Sequence, residues 1–284
     1  MSRVAGILAS RQLNGQFSRR LLPLLALFLL YFPLALISGL CHETGHGVVS
    51  LITGGTFTGI IMSGRQMEML GAVRSPIVSI GGWLGQYAIA VVVILISRKY
   101  TPKSFAGRSI DLLLVLINLI EPPAYAASLQ GDSQGVISSL TGYVGLAASI
   151  AIIETVAVAS LLTGIYISLR FSYAYFSVVF PWMSRKRTNL TSYLFVAIYT
   201  TLVLFGYMGG SIGFNLSSNL VGSMLVFLAL LLLFGFVLIP RLALGYPMKK
   251  NIVSIGAFSV IGIISIFVLL VYVLASYMPI TIIF

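Results

Sequence analysis

Residues 21–55 read LLPLLALFLLYFPLALISGLCHETGHGVVSLITGG. This stretch is a long apolar run that carries both histidines of the 284-residue chain, His42 and His46. Positions i and i+4 share one helix face, so the two imidazoles can bind one metal ion, and Glu43 stands beside them to take a proton from a water molecule there. The alternative is two core histidines that satisfy each other, but ionisable groups in membrane segments are usually functional. The pattern predicts a zinc site.

The composition is that of a membrane protein. Hydrophobic residues make up 58% and charged residues only 8% of the chain, whereas soluble proteins carry roughly 25% charged residues. The net charge of +11 lies mainly in short loops, so it indicates topology rather than a nucleic-acid partner. We expect an all-α multi-pass membrane protein, embedded in the lipid bilayer, with about seven transmembrane helices. The predicted spans are 21–53, 75–97, 109–127, 143–168, 190–210, 219–240 and 252–279.

Basic residues alternate between the two sides of these spans. The N-terminal tail and the loops after the second, fourth and sixth spans hold all lysines and arginines except Arg65 and Arg74. Because cytoplasmic loops carry the excess of positive charge, the N-terminus is predicted to be cytoplasmic and the C-terminus outside the cell membrane. We divide the chain into a cytoplasmic basic tail, 1–20, a catalytic transmembrane core, 21–168, and accessory transmembrane helices, 169–284.

Glycines and prolines interrupt the helical pattern at three places. Gly54-Gly55 should end the first helix, and the following TFTGIIMSGRQMEML, 56–70, predicts one or two short strands, with a plain surface loop as the alternative. A strand beside the metal could pair with an extended peptide through its free edge. Pro33 is expected to kink the first helix, and Pro122-Pro123 to break or kink the third.

A catalytic zinc ion takes three protein ligands, and the residues alone leave the third open. Glu43 is assigned as the base. Two other acids have ordinary explanations, Glu68 as a solvated charge and Asp111 as half of an interfacial ion pair with Arg108. Three acids remain as candidates: Asp132, Glu154 and Glu121.

These three candidates differ in their surroundings. The charge rule places Asp132 in an outer loop, on the same side as the His46 end of the first span. Glu154 lies within the fourth span, where an unpaired carboxylate is costly, so it is either a ligand or a protonated packing acid. Glu121 adjoins two prolines and can hydrogen-bond the backbone groups that they free.

HETGHGVVSLITGG, residues 42–55, resembles the zinc-binding helix of the site-2 protease family of intramembrane metalloproteases, especially its shorter prokaryotic members. In that family a β-containing loop follows, then a small-residue helix similar to SIGGWLGQ, and then a helix with an asparagine, a proline and an aspartate. The resemblance covers roughly residues 25–165. It implies that Asp132 is the third zinc ligand and that Asn118 positions the substrate; interhelical hydrogen bonding is the alternative role for Asn118.

The resemblance implies a zinc-dependent intramembrane endopeptidase that hydrolyses peptide bonds of membrane-embedded or membrane-adjacent protein substrates. Two other hypotheses stand beside it. One is a membrane HExxH protease of the prenyl-protein-processing kind, with Glu154 as the third ligand. The other is a non-catalytic metal-binding membrane protein or a transporter, although transporters usually show internal repeats and none is evident in this sequence.

Overall fold

The computed structural model describes residues 2–63, 66–100, 105–127, 129, 132–211 and 255–284. Six of its helices are long and apolar enough to cross a membrane, and the predicted span 219–240 lies outside the described residues. The chain is therefore a helical protein of the membrane type. The helices are α1 (Ser2–Ile52), α2 (Val78–Lys99), α3 (Phe105–Ala127), α4 (Asp132–Val144), α5 (Leu146–Val179), α6 (Arg185–Ser211) and α7 (Ile255–Tyr277), and the strands are β1 (Gly59–Ser63), β2 (Gln66–Leu70) and β3 (Ile280–Ile283).

Helix α1 is continuous over 51 residues, a length of about 77 Å. Residues 2–20, predicted as a separate tail, belong to the same helix as the first span, and Pro33 lies inside it. A proline at this position removes the N–H group that would bond the carbonyl of Leu29. The hydroxyl of Ser265 in α7 donates to that carbonyl at 2.6 Å. The helix can continue because a neighbouring helix satisfies the freed group.

Helix α3 runs through Pro122 and Pro123 to Ala127, so these prolines do not break the helix, and the alternative of a kink stays a prediction. Pro123 leaves the carbonyl of Leu119 without its helical donor. This carbonyl lies against Gly164 of α5, where any side chain would overlap it. Close packing on α5 keeps both prolines buried within a helix that propensity alone would interrupt.

Helix α3 is also the centre of the bundle. It contacts α1, α2, α5 and α6, and most of its side chains are buried. The other spanning helices expose many of their large apolar side chains on the outside of the bundle, as expected of a surface that faces lipid. The largest fully buried apolar side chains of this central core are Leu112, Leu116, Ile117, Ile120, Tyr175 and Phe176.

The predicted strands are present as an antiparallel hairpin in which Gly59 of β1 pairs with Leu70 of β2. The C-terminal segment β3, which the sequence analysis did not predict, pairs with the other side of β1, so the strand order is β2–β1–β3. Its β-branched run ITII after Pro279 was the available signal. Strand β2 therefore lies at an edge of the sheet, and it packs against α1.

Candidate metal centre

Glycines bring α1 and α2 into direct backbone contact. A Cβ atom on Gly45 would overlap the carbonyl of Gly81, and one on Gly81 would overlap the carbonyl of Gly45. Gly85 approaches the carbonyl of Cys41 in the same way. Small residues allow such close crossings in membranes. The crossing places the HETGH turn of α1 directly against the first turns of α2.

Gly82 leaves room for both imidazole rings. A Cβ atom at this position would lie 2.5 Å from His42 Nε2 and 2.6 Å from His46 Nε2. The small-residue stretch of α2 therefore does more than pack helices, because one of its glycines forms a wall of the candidate site.

His42, His46 and Asp132 meet at this point. The two Nε2 atoms are 3.1 Å apart, and Asp132 Oδ2 lies 3.0 Å from that of His42 and 3.3 Å from that of His46. Tetrahedral zinc with bonds of 2.0–2.1 Å separates its ligand atoms by about 3.3 Å. The three atoms thus have the dimensions of one face of such a site. In the part of the chain that the structure describes, this trio is the group of His, Cys, Asp and Glu side chains that could hold a metal ion.

Helix α4 delivers Asp132, which is its first residue. The hydroxyl of the next residue, Ser133, donates to the carbonyl of Ala126 near the end of α3 at 3.1 Å. Gly135, one turn into α4, packs on the side chain of Ser79 in α2 so closely that a Cβ atom would overlap it. Contacts with both helices therefore hold the carboxylate in register with the histidines.

The tautomer of His46 follows from the partner of its Nδ1 atom, the ring nitrogen that does not face Asp132. Nδ1 lies 2.8 Å from the carbonyl oxygen of Val78, which can only accept, so Nδ1 carries the proton. The backbone N–H of Gly82 is also near this nitrogen, at the longer distance of 3.2 Å. With the proton on Nδ1, the Nε2 atom of the neutral ring presents a lone pair.

A chain of hydrogen bonds assigns the same tautomer to His42. It starts in α3, where Asn118 Nδ2 donates to the carbonyl of Leu114 at 2.8 Å, which turns Asn118 Oδ1 towards Ser38. Ser38 donates to Asn118 Oδ1 at 2.8 Å, and Gln86 Nε2 donates to Ser38 Oγ at 2.9 Å. The remaining amide oxygen of Gln86 lies 3.1 Å from His42 Nδ1. Because that oxygen can only accept, the proton of His42 is on Nδ1.

Three electron-pair donors therefore face each other, two Nε2 atoms and Asp132 Oδ2. The carboxylate oxygen is buried and has no hydrogen-bond donor. Burial favours the neutral acid, but hydrogen bonds and positive charge from protonated His42 and His46 would outweigh it and lower the pKa of Asp132 to about 2. A metal cation supplies that positive charge while the rings stay neutral. The donor set of two imidazoles and a carboxylate fits a divalent ion of the zinc type.

Glu43 lies beside the trio, with Oε1 4.0 Å from His42 Nε2. It is buried from bulk solvent, and it approaches the backbone of Met69 in β2. Glu43 and the three candidate ligands all line one cavity of about 1360 Å³, which extends along α1 to Leu24. The candidate base, the three candidate metal ligands and the edge strand β2 therefore line the same cavity.

The other predicted residues lie apart from the trio. Asn118 is fully buried, and its amide oxygen and nitrogen are both bonded within the protein, so contact with a substrate stays a prediction for this residue. Glu121 accepts hydrogen bonds from Tyr31 at 3.3 Å and from Tyr199 at 2.8 Å. Glu154 is exposed on α5. Neither glutamate belongs to the candidate metal group.

Two residues of the site were missed at the sequence level, Ser38 and Gln86. Gln86 is an isolated amide in an apolar span, and it lies on the same helix face as Gly82, four positions earlier. A polar side chain in a membrane segment is a signal for function, and it could have linked α2 to the histidines.

No protein-family model matches the chain, and neither curated proteins nor solved structures show a significant similarity to it. The likeness to the site-2 proteases therefore rests on the HETGH turn and on the order of the segments that follow it.

Proposed function

We propose that this protein is a zinc-dependent endopeptidase of the cell membrane that hydrolyses peptide bonds in membrane-embedded or membrane-adjacent segments of other proteins. The observation that carries the proposal is the position of Glu43, a buried carboxylate 4.0 Å from a candidate metal ligand and open to the same cavity. A site that only stores or moves a metal has no need of a base in that place. An HExxH protease requires one.

In this proposal His42, His46 and Asp132, which all line the cavity, would hold the ion. Zinc bound there would lower the pKa of a water molecule towards ~7 and would polarise a carbonyl group. Glu43 accepts the proton of the attacking water and returns it to the leaving amine. Tyr125 lines the cavity next to Asp132, and its hydroxyl is our candidate donor to the developing oxyanion.

The shape and lining of the cavity favour a polypeptide as the substrate. It follows α1 from Leu24 to His46, about 33 Å of helix, and its lining is mostly apolar. The edge strand β2 borders the same space and can pair with an extended segment through its backbone. Proteases cleave extended chains, so an open strand edge next to the base favours peptide-bond hydrolysis over small-molecule chemistry.

The two alternatives are less well supported. A protease of the prenyl-protein-processing kind would need Glu154 as the third ligand, and this residue is exposed on α5. A non-catalytic metal-binding protein would use the same three ligands. It differs from our proposal only in that its function would not require Glu43. By the charge rule the N-terminus is cytoplasmic and the metal end of the bundle faces outwards.

The test compares the full-length wild type with Glu43→Gln and with Glu154→Gln, a matched control because Glu154 is an exposed acid of α5 outside the cavity. Each protein is expressed in cells that lack it. Mass spectrometry then compares the new protein N-termini that cleavage produces in the membrane fraction. Zinc is measured separately in each purified protein. We expect Glu43→Gln to keep about one zinc per chain and to lose the cleavage products, while Glu154→Gln keeps both. Products that persist in Glu43→Gln would contradict the proposal.

A further inference from the structure

A second cavity, of about 110 Å³, lies between α2, α3 and α5 at the opposite end of the bundle from the metal centre. Ser97 lines it and stands three helical turns beyond Gln86 on α2, a distance of about 16 Å along the helix. The cavity holds the volume of roughly three to four water molecules. It is therefore small, and it is separate from the space that we assign to catalysis.

Three arginines from three helices line this cavity: Arg98 of α2, Arg108 of α3 and Arg170 of α5. One acid, Asp111, is among its lining residues, and it is hydrogen-bonded by Ser97 Oγ at 2.6 Å. Arg108, the predicted partner of Asp111, attracts it electrostatically, but no direct contact between their charged groups is recorded among the described residues. Three guanidinium charges therefore face one carboxylate.

Two of these guanidinium groups have unused donors. The Nε atoms of Arg108 and Arg170 are buried and have no hydrogen-bond partner. Arg108 Nη1 reaches only the carbonyl of Ala174, at 3.4 Å. Arg170 lies over the ring of Tyr166, 4.7 Å from its centroid, and its Nη2 bonds the hydroxyl of the same tyrosine. Buried donors without acceptors are costly, and a ligand that accepts from both would remove that cost.

We propose that this cavity binds a phosphate group, supplied either by the headgroup of an anionic phospholipid or by a free phosphate ion. Guanidinium forks match phosphate oxygens, and three of them around so small a space leave a net positive charge for an anion. The cavity lies among the helix ends where basic residues concentrate, which the charge rule places at the cytoplasmic membrane surface. Ile94, Ile167 and Phe171 form its apolar side, where acyl chains of a lipid would continue into the bilayer.

Purified full-length protein in neutral detergent is titrated with phosphatidylglycerol, with phosphatidylcholine and with inorganic phosphate, and bound ligand is counted by native mass spectrometry. The variants are the double substitution Arg108→Gln with Arg170→Gln, and Ala174→Leu, which fills the cavity and keeps every arginine. Lys186→Gln is the control, because Lys186 is an exposed basic residue at the start of α6 that does not line the cavity. Size-exclusion profiles identify any variant that does not fold.

We expect the wild type and Lys186→Gln to bind one phosphatidylglycerol in preference to phosphatidylcholine. The double variant and Ala174→Leu should bind it at least about tenfold more weakly, because charge-assisted hydrogen bonds are lost or blocked. Phosphatidylglycerol binding that inorganic phosphate does not displace identifies the lipid as the source, and binding of inorganic phosphate alone identifies the free ion. Equal ligand binding by the wild type and by whichever cavity variant folds would overturn the proposal.

Discussion

The large cavity contains two clusters built around a carboxylate, and they are satisfied in opposite ways. At one, Glu121 Oε1 accepts hydrogen bonds from the hydroxyls of Tyr31 and Tyr199. At the other, Asp132 Oδ2 lies between two imidazole nitrogens whose protons are on the far side of their rings. Both carboxylates are partly buried in a mostly apolar bundle. Only the second lacks a donor.

This difference separates a structural acid from a candidate metal ligand. The hydroxyl donors of Tyr31 and Tyr199 come from α1 and α6, so Glu121 joins three helices and needs nothing from outside the protein. Asp132 has two acceptors for neighbours, and only protons or a cation can make that arrangement stable. Both central groups are carboxylates of intermediate exposure. The two clusters differ in the number of hydrogen-bond donors: Glu121 Oε1 has two, and Asp132 Oδ2 has none.

The largest effect should come from removing the ligand itself. Asp132→Ala should weaken zinc binding by more than about 100-fold, because even outer-shell partners of a metal are worth 10–100-fold. Zinc content of the purified protein and competition with a calibrated chelator measure this. Glu121→Ala is the matched control, an acid of the same cavity that should keep about one zinc per chain. If Glu121→Ala loses the metal and Asp132→Ala keeps it, our assignment of the two clusters is reversed.

Gly82→Ala should come next, with zinc affinity lowered about 10–100-fold. The new methyl group would lie 2.5–2.6 Å from the Nε2 atoms of both histidines, so the rings must move away from the positions that match a metal. Gly142→Ala is the control; Gly142 is a helical glycine of α4 with open space around its Cα. Its chelator competition curve should coincide with that of the wild type. A wild-type curve for Gly82→Ala would show that the rings do not bind the metal in this orientation.

Gln86→Leu should lower zinc affinity by about tenfold. It removes the acceptor that holds the proton of His42 on Nδ1, so the ring can turn or change tautomer. Gln86→Glu keeps an acceptor at that position and should restore most of the affinity, which a merely space-filling role would not explain. Cobalt substitution provides a second readout, because its absorption spectrum reports coordination geometry independently of activity. Identical spectra and affinities for the two variants would argue against the relay.

The sequence predicts the parts of this molecule that depend on local pattern. Helical spans follow from runs of apolar residues, and the pairing of His42 with His46 follows from their spacing of four on one helix. One or two short strands were predicted, with a plain loop as the alternative, because threonine, phenylalanine and isoleucine occur between glycines after residue 55. Each of these signals lies within a short stretch of chain.

Features that depend on residues far apart in the chain could not be predicted from local sequence patterns. Pro33 and Pro123 remain inside helices because Ser265 and Gly164, far along the chain, accommodate the carbonyls that they free. The third ligand stayed open between three acids because sequence does not show how many donors surround each one. Gln86 was missed for the same reason, since its role appears only when α1, α2 and α3 are packed together.

The smallest effect on the metal should come from the tyrosine cluster. Tyr199→Phe removes one hydroxyl donor to Glu121 and leaves every group of the metal cluster in place. Zinc affinity should stay within about twofold of the wild type, whereas the free energy of unfolding should fall by about 1–3 kcal/mol, since a partly buried carboxylate loses a hydrogen bond. Steric trapping or denaturant titration in detergent measures the stability, and the chelator competition measures the metal. Tyr143→Phe, at a tyrosine of α4 that is 89% exposed and lies outside the cavity, controls for the loss of a hydroxyl group. A large loss of zinc in Tyr199→Phe would mean that the two clusters are coupled.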